Sequence, residues 1–419
     1  MLKLSQTQKN VILATTSGSV LEWYEIFIYI YWAPVLSSYF FNSDEKFTGE
    51  LNALLIFAVG FLSRPLGGFI FGHIGDHFGR KVAFIISILS MSIPTIVIGL
   101  LPAYKDIGIL SPLLLGLMRV IQGVPAGGEL PGAICYLSEC ASEPNKKFMA
   151  SFAFFGVGIG VMISIGEYLL FPYLLPASIS SDMSWKFSFI FGGCLGVLGL
   201  YLRYKLHETP SFTKLKLEGK LLRKPVLYSL HKYKRHLVTA FFVSTSATVG
   251  FFIICVFPSL FLQSEPETEK LQMKVVLLLT LFSTATLPLY GRLGDRYPIR
   301  MLFYWSGSLI LLFLPFFYVL LSQESIALLI FGELIFVGLL NMQFALLPSL
   351  LVDLFPTHIR YSGVGLSFNF CDSLIGGVTP LLAFYLTAAT GNVASIVLVI
   401  AIAMAFSLGA LWFMGKKAQ

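Results

Sequence analysis

Two carboxylates interrupt the first long apolar stretch of the chain. Glu22 and Glu25 are three residues apart, so a helix places them on one face together with Tyr29. Arg119 and Glu129 interrupt a later apolar stretch. Burial disfavours a charged carboxylate and a nearby cation favours it, so an acid beside an arginine can take up and release a proton. We predict that Glu22, Glu25 and Glu129 share proton handling and gating. Arg119 is predicted to set their charge balance, and static buried ion pairs are the alternative.

Other side chains in the apolar stretches are candidates for holding a cargo. Aromatic faces attract cations such as quaternary ammonium groups. Amides, carboxylates and a guanidinium at helical spacing would supply polar contacts. The predicted substrate-binding residues are Trp23, Tyr24, Tyr29, Arg64, Gln122, Asn369 and Asp372. Glu167 and Glu333 are weaker candidates, because either could lie near an aqueous end.

Charged residues are scarce because the whole chain is apolar. Its 419 residues are 56% hydrophobic and 12% charged, and the mean hydropathy is +0.80. Soluble proteins are about 45–50% apolar, so a polytopic membrane protein is predicted. Ionisable groups in mid-membrane cost at least about 2.5 kcal/mol each, which makes them functional candidates. The five cysteines show no metal spacing, and the sequence has no nucleotide loop or nucleophile–base set. No metal, cofactor or enzymatic activity is expected.

The apolar stretches predict twelve membrane-spanning helices, because a bilayer core of about 30 Å needs roughly 20 apolar residues. The predicted spans are 11–40, 51–72, 82–102, 111–138, 148–172, 187–204, 236–262, 272–290, 301–321, 325–351, 361–387 and 392–414. A polar stretch divides them into an N-terminal six-helix bundle at 1–204, a cytoplasmic linker at 205–235 and a C-terminal six-helix bundle at 236–419. Residues 214–224 of the linker are predicted either as a basic helix on the membrane surface or as a solvated connection.

The basic residues indicate which side of the membrane the termini face, because cytoplasmic loops carry an excess of Lys and Arg. An even number of spans puts both termini on one side, and that side holds most of the 29 Lys and Arg residues. The opposite loops hold only Lys46, Lys105, Lys186, Lys270 and Lys274. Both termini are therefore predicted to be cytoplasmic. The net charge of +7 then reflects membrane topology, and no nucleic-acid partner is expected.

A loop segment of the first half recurs in the second half. GHIGDHFGRK at residues 72–81 follows the second span, and GRLGDRYPIR at residues 291–300 follows the eighth. YLSECASEPNKK at residues 136–147 ends the fourth span, and LLVDLFPTHIR at residues 350–360 ends the tenth. These two echoes, in the same order, predict a duplicated six-helix unit.

The repeated loops are predicted to form a latch on the cytoplasmic side. Asp76 is expected at a helix N-terminus, where the macrodipole favours an anion. Arg80 is expected to pair with Glu139. In the second copy, the expected contacts join Asp295 and Asp353 to a cation such as Arg296 or Arg360. The alternative is a set of polar inside loops that serve topology alone.

The decamer resembles the loop signature GxxxDRxGRR of major facilitator transporters, which are built from parallel six-helix repeats around a central cavity. Further stretches resemble the metabolite:proton symporters of that superfamily, which include proline/betaine, α-ketoglutarate, citrate and shikimate carriers. They are SGSVLEWYEIFIY (17–29), RPLGGFIFGHIGDHFGRK (64–81), RVIQGVPAGGELPGA (119–133), HETPSF (207–212) and LFPTHIRYSGVGLSFN (354–369). The resemblance implies an all-α membrane protein with the major facilitator fold, twelve transmembrane helices in two pseudo-symmetric six-helix bundles, in the bacterial cytoplasmic (inner) membrane.

The sequence departs from the family pattern at several positions. Ser19 stands where the family usually has Asn, Lys186 where Arg usually follows Trp, and His358 replaces a common Arg. The second decamer has Pro298 in place of Gly. Since Ser19 is expected near the cavity, the cargo of any one relative is not transferred to this chain.

The leading functional prediction is a proton-coupled importer of a small charged or zwitterionic metabolite, such as an amino acid, a betaine or an organic acid, working as a monomer in the lipid bilayer. The alternatives are a facilitative or proton-linked sugar porter, which HETPSF also resembles, and a transporter-like nutrient sensor. The chain ends at Gln419, soon after the last span, without the coiled-coil extension of some osmosensing relatives, so an osmoregulatory role is not expected.

Overall fold

The protein, described from a computed structural model at residues 4–42, 46–174, 183–261, 266–323 and 325–415, is built from twelve long helices. In the first half these are α1 (Gln6–Phe40), α2 (Lys46–Leu62 and Arg64–His77), α3 (Arg80–Leu100), α4 (Leu110–Cys140), α5 (Lys146–Ala150 and Phe152–Leu174) and α6 (Ser184–Tyr204). In the second half they are α7 (Lys234–Phe261), α8 (Pro266–Arg296), α9 (Ile299–Leu321), α10 (Ile326–Leu354), α11 (Arg360–Cys371, Asp372–Gly376 and Gly377–Thr390) and α12 (Val397–Gly415).

The predicted all-α membrane fold is confirmed. Eleven of the helical stretches are long and apolar enough to cross a membrane, and the 35-residue α1 completes the set of twelve. The described parts of the chain contain no β-strand. α2 and α8 extend beyond the predicted spans at the end where the decamers lie, to His77 and Arg296. The polar residues there continue the helical hydrogen bonding.

Helices of each half pack mainly on one another, and a few pairs join the halves. α1 packs on α5, α6 and α4 in the first half, and α7 on α12 and α9 on α10 in the second. The principal contacts between the halves are α2 with α11 and α5 with α8. The two pairs are related by the repeat, since α8 is the counterpart of α2 and α11 the counterpart of α5.

The segment between α6 and α7 folds into two short helices, Pro210–Leu217 and Pro225–Lys232. Thr209 begins the first, and its hydroxyl accepts a hydrogen bond from the Phe212 amide, as an N-cap does. The chain then turns at Gly219, whose φ is +66°. Residues 214–224 therefore do not form one continuous surface helix, because the left-handed glycine ends the first helix inside this stretch.

Two breaks in the helices orient polar side chains towards the centre. α2 is interrupted at Ser63, because Pro65 lacks the amide hydrogen that would continue the ladder. α11 contains a π-turn at Asp372–Gly376, four residues before Pro380, which removes a further amide donor. Arg64 starts the helical piece that follows the first break, and Asp372 is the first residue of the π-turn.

The first decamer is mostly helix, in contrast to the predicted loop. α2 continues to His77 and α3 begins at Arg80, so the turn consists of two residues, of which Gly79 has a φ of +124°. Gly75 serves close packing: a Cβ there would lie 2.3 Å from the Tyr361 ring of α11. Small residues at helix crossings permit such an approach.

Glycines also set the crossing of α2 and α4. A Cβ on Gly67 would lie 1.8 Å from the Val124 carbonyl oxygen, and one on Gly127 would lie 2.0 Å from the Arg64 carbonyl oxygen. The two backbones therefore approach to a distance that no other residue permits. This crossing fixes the position of Arg64 relative to α4.

We predict that Gly67→Ala destabilises the protein by about 1–3 kcal/mol, because the added methyl group overlaps a backbone carbonyl that side-chain motion cannot relieve. Thermal unfolding of the purified protein in detergent measures the change. Gly166→Ala is the matched control, since a Cβ at Gly166 meets no atom within 4 Å. Equal melting temperatures for the two variants would contradict the close crossing of α2 and α4.

Candidate functional site

Arg64 lies at the centre of a buried charge cluster that joins the two halves. Its side chain is 1% exposed and pairs with Glu22 of α1. On the other side, its Nη1 lies 3.5 Å from Oδ2 of Asp372 in α11. The guanidinium carbon sits 5.7 Å from the Trp23 ring centroid and 5.1 Å from that of Phe61. One cation thus bridges carboxylates of opposite halves between two aromatic faces.

Several polar atoms of the cluster lack a hydrogen-bond partner. Within the described residues, Arg64 Nε and Nη1, Glu22 Oε2 and Asp372 Oδ2 are buried without a hydrogen-bond partner. Buried polar groups are paired in the great majority of cases, and exceptions need an explanation. Donors and acceptors of both charge signs that face one another without full pairing can bind a small molecule that carries both charges.

Glu25 belongs to a second, adjoining polar chain. Its carboxylate contacts the Thr95 hydroxyl and lies 3.5 Å from Gln122 Nε2. The Gln122 Oε1 atom in turn accepts a hydrogen bond of 3.0 Å from Arg119. The Arg119 guanidinium carbon lies 4.3 Å from the Tyr29 ring centroid. Gln122 therefore stands between the predicted acid and the predicted cation, so the two are linked through an amide.

Both polar chains line one small cavity of about 30 Å³. A space of this size holds one or two water molecules and no metabolite. The structure therefore brings together five of the predicted residues and closes them in: the polar lining consists of Glu22, Glu25, Arg64, Arg119 and Gln122.

The predicted aromatic ligands lie in different surroundings. Trp23 packs edge-on against Phe251 of α7, with 4.7 Å between ring centroids, so it contacts both the cluster and the second half. The Tyr24 hydroxyl lies 2.8 Å from Glu167 Oε2, in a polar group between α1, α5 and α6. The Tyr29 hydroxyl donates to the Ala53 carbonyl oxygen over 2.9 Å. Of the three rings, Trp23 is the one that faces the Arg64 guanidinium.

Two further candidates lie in the second half. Asn369 of α11 donates to the Gly127 carbonyl oxygen of α4 over 2.5 Å and to the Gly365 carbonyl oxygen over 2.7 Å. It therefore ties α11 to α4 and is used in a contact between the halves. Glu333 of α10 is fully buried outside the cluster.

Glu129 pairs with Arg203, which lies in the last turn of α6. The Arg203 Nη1 atom donates to Glu129 Oε2 over 2.8 Å, and the Ser87 hydroxyl donates to the same oxygen over 2.7 Å. Arg203 also donates to the carbonyl oxygens of Ala14 and Phe84. Both charges are fully buried and amply bonded, which is the arrangement of a static ion pair.

At the decamer end, which we call the latch end, Asp76 caps a helix of the opposite half. Its carboxylate accepts hydrogen bonds from the amides of Tyr361 (3.1 Å) and Ser362 (2.8 Å) in the first turn of α11. Arg80 lies 3.3 Å from the same carboxylate. The expected helix N-terminus is therefore present, and it belongs to the second half.

The second decamer makes the reciprocal contact. Asp295 accepts hydrogen bonds from the amides of Lys147 (2.8 Å) and Phe148 (3.1 Å) in the first turn of α5. Each half thus presents one carboxylate to the first turn of a helix in the other. Such contacts are favourable for two reasons: the hydrogen bonds are charge-assisted, and the helix dipole attracts a negative charge at its N-terminus.

Glu139 forms ion pairs with two arginines of the latch end. It pairs with Arg80 at 3.1 Å, as expected, and also with Arg360 at 2.8 Å. The Thr209 hydroxyl at the start of the linker donates to it over 2.6 Å. The expected contacts of the second copy join Asp295 and Asp353 to a cation such as Arg296 or Arg360, whereas Arg360 contacts Glu139 of the first half, because α4 and α11 converge there.

The remaining predicted latch residues lie at the periphery. Asp353 pairs with Lys146 of the first half at 2.8 Å, and both side chains are partly exposed. Arg296 is exposed at the end of α8 and stands outside these contacts. The predicted pairing of the second copy within its own half is therefore replaced by pairing between the halves.

Arg203 and Thr95 are two polar residues of the buried networks that the sequence analysis did not identify. Arg203 continues the buried glycine stripe of α6, which runs through Gly192, Gly196 and Gly199 at spacings of three and four residues. That spacing was a readable signal that Arg203 faces the core. Thr95 carried no such signal, because a single threonine in an apolar helix is common.

Comparison with known proteins identifies relatives over nearly the whole chain. Residues 17–380 match the family model described as Major Facilitator Superfamily. The inner membrane metabolite transport protein YhjE of Escherichia coli K12 is 33% identical over 389 residues, which cover 91% of this chain and 88% of the relative. The proline/betaine transporter of the same organism is 32% identical over 398 residues, covering 92% and 79% of the two chains.

Another relative is the glycine betaine/proline/ectoine/pipecolic acid transporter OusA of Dickeya dadantii, 33% identical over 396 residues, covering 92% of this chain and 78% of the relative. Among solved structures, the proton:xylose symporter XylE bound to 6-bromo-6-deoxy-D-glucose has a TM-score of 0.76 at 15% identity, covering 98% of this chain and 96% of that one. At that identity the likeness is one of fold.

We predict that Asp76→Asn separates the halves at the latch end. The amide retains one acceptor oxygen for the two α11 amides and loses the charge beside Arg80, which removes a bond worth about 1.5–3 kcal/mol. Spin labels at the exposed Tyr204 and Tyr297 positions, on a cysteine-free background, measure the distance by electron–electron double resonance. We expect a longer and broader distance distribution.

Glu218→Gln is the control for the latch experiment, since Glu218 pairs with Lys220 on the exposed linker, away from the contacts between the halves. Its distance distribution should match that of the parent. If Asp76→Asn also matches the parent, the contact between Asp76 and α11 does not hold the halves together.

We predict that Glu129→Gln lowers stability by about 3–5 kcal/mol, because it leaves the Arg203 charge buried without its counter-charge. The double variant Glu129→Met and Arg203→Met should recover most of the loss, since apolar residues of similar volume can replace a buried pair. Melting temperatures in detergent test both expectations. A Glu129→Gln variant as stable as the parent would instead indicate an acid that is already neutral.

Proposed function

This chain belongs to the Major Facilitator Superfamily, and we propose that it is a secondary active transporter that couples the import of a small charged or zwitterionic metabolite to proton movement by alternating access. Transport by a multi-pass membrane protein follows from the family and from relatives named as metabolite and proline/betaine transporters. The nature of the cargo and the coupling to protons are proposals, which rest on the buried charges of this chain.

The bridge from Glu22 through Arg64 to Asp372 is the observation that supports a zwitterionic cargo. A carboxylate on the cargo would pair with Arg64, which has unpaired nitrogen atoms. An ammonium group would pair with Glu22 or Asp372 and lie against the Trp23 face, where a cation is favoured. A neutral sugar would leave such charges uncompensated in the membrane, at a high cost.

The position of the charges on different helices supports alternating access. Glu22 and Arg64 belong to the first half and Asp372 to the second, so their separation changes as the halves move. The 3.5 Å contact between Arg64 and Asp372 is the longest of the bridge, and it is the contact that an arriving cargo would replace. The cavity of about 30 Å³ represents the site in its closed form.

Hydrogen bonds around Glu25 support a role in proton coupling. The Thr95 hydroxyl oxygen accepts from Gln122 over 2.7 Å and lies 2.8 Å from the Met91 carbonyl oxygen, to which its one proton can be donated. A protonated Glu25 would then donate to Thr95, and all the groups would be satisfied. An ionised Glu25 would compete with Met91 for that single proton. Glu25 is therefore proposed as the proton carrier, and Glu22 as the acid that contacts the cargo.

We further propose that the termini and the latch end face the cytoplasm, following the distribution of basic residues. Closure of the latch end then corresponds to a protein closed on the inside. The working unit proposed is a monomer, because one chain holds all the residues of the site.

The transport proposal predicts substrate-dependent, pH-gradient-driven uptake into proteoliposomes that contain the purified protein. A radiolabelled panel of proline, glycine betaine, α-ketoglutarate and xylose identifies the cargo class. We expect a zwitterion to accumulate. Accumulation of xylose alone would favour the sugar porter, and binding of a panel member without uptake would favour the sensor.

With the cargo identified, Glu25→Gln should abolish gradient-driven accumulation and retain counterflow exchange, since the amide cannot release a proton. Glu22→Gln should weaken both, because the cargo loses a charged partner. Glu143→Gln, at an exposed turn, is the control and should transport like the parent. If Glu25→Gln keeps gradient-driven accumulation, the assignment of the proton site is wrong.

A further inference from the structure

A large groove opens among α7, α9, α10 and α12 at the latch end, apart from the central charge cluster. Its volume is about 1080 Å³, and it shares no lining residue with the central cavity. Apolar side chains form its walls, among them Phe242 and Phe406, whose rings stack with centroids 5.4 Å apart. Phe406 and Phe413 are 54% and 68% exposed. In a membrane protein, side chains so exposed on spanning helices face lipid.

Basic side chains surround the mouth of this groove. Lys234, Arg235 and His236 come from the beginning of α7, and Arg300 from the beginning of α9. Two helix N-termini thus meet at the same rim, and their dipoles add to the positive potential. The acidic group in the lining is Asp353, which Lys146 already neutralises at 2.8 Å.

We propose that this groove is a binding site for an anionic phospholipid. The headgroup phosphate lies at the rim formed by Lys234, Arg235 and Arg300, and an acyl chain lies along the apolar wall. The charge of the rim complements a phosphate, and basic pockets between helices at a membrane surface select anionic lipids. A soluble anion would use the rim but leave the apolar wall uncovered, so a lipid satisfies both parts of the groove.

The groove also has room for the chain of a lipid at a defined point. A Cβ added at Gly409 of α12 meets no atom within 4 Å, so this part of the wall is open. Gly409→Leu would fill that space without changing any charge. The two features of the site, basic rim and apolar wall, can therefore be altered independently.

Binding of fluorescent phosphatidylglycerol to the purified full chain in neutral detergent tests the proposal. We expect the triple variant Lys234→Gln, Arg235→Gln and Arg300→Gln to bind it at least about tenfold more weakly. Gly409→Leu should weaken binding as well. Unlabelled phosphatidylglycerol should displace the probe, and neither phosphatidylcholine nor glycerol phosphate should do so at equal concentration. Melting temperatures verify that each variant is folded.

The matched control neutralises three cations on the exposed linker: Lys214→Gln, Lys216→Gln and Arg223→Gln. It should bind phosphatidylglycerol like the parent. Equal losses in the two triple variants would show general charge attraction and overturn the proposal. So would displacement by phosphatidylcholine, which would indicate an unselective apolar surface, or displacement by glycerol phosphate, which would indicate an anion site without a lipid chain. Unchanged binding in Gly409→Leu would equally exclude the groove.

Discussion

Asp76 satisfies the first amides of α11, a helix of the opposite half, and Asp295 does the same for α5. Helix termini leave several amide groups without a partner inside the helix, and a carboxylate supplies both the acceptor and the charge that the dipole favours. Each half of the duplicated chain therefore completes a helix of the other. A bond of this kind contributes about 1.5–3 kcal/mol, which is enough to hold the halves in contact and small enough for ligand binding to overcome.

The same two helices carry both the latch and the charge cluster. Asp76 and Arg64 lie on one segment of α2, twelve residues or about 18 Å apart, and Ser362 and Asp372 lie ten residues or about 15 Å apart on α11. A movement of α2 against α11 therefore changes both contacts. Opening at the latch end must stretch or reorient the Arg64–Asp372 bridge. The proposed coupling between cargo and conformation needs no further relay, because rigid helices transmit the displacement.

Much of the architecture was predictable because it depends on local features. The twelve spans follow from apolar length, and the duplication from the echo of the two decamers. Contacts between repeats were less predictable. A cation such as Arg296 or Arg360 was expected to join Asp295 and Asp353 of its own half, whereas Arg360 pairs with Glu139 of the other half. The first decamer is predicted as a loop, whereas most of it is helix and Gly75 serves the approach of Tyr361. A single sequence shows which residues are unusual, but the partner of a buried charge depends on how the helices cross.

The protein has two buried charge clusters, Glu129 with Arg203 and Glu22 with Arg64 and Asp372, and they differ in how many of their polar atoms are hydrogen-bonded. Glu129 and Arg203 use several protein partners each, and replacing either would leave a charge uncompensated. Such a pair is stable in one geometry and has little reason to change during a cycle. Arg64, Glu22 and Asp372 are equally buried but incompletely paired. Because desolvation of an unsatisfied charge is costly in a membrane, an arrangement of this kind is retained where a ligand or a proton completes it. All of these carboxylates lie in apolar stretches of the sequence, which therefore does not tell them apart. Their hydrogen-bond partners in the structure separate the fully paired Glu129 from the incompletely paired Glu22 and Asp372.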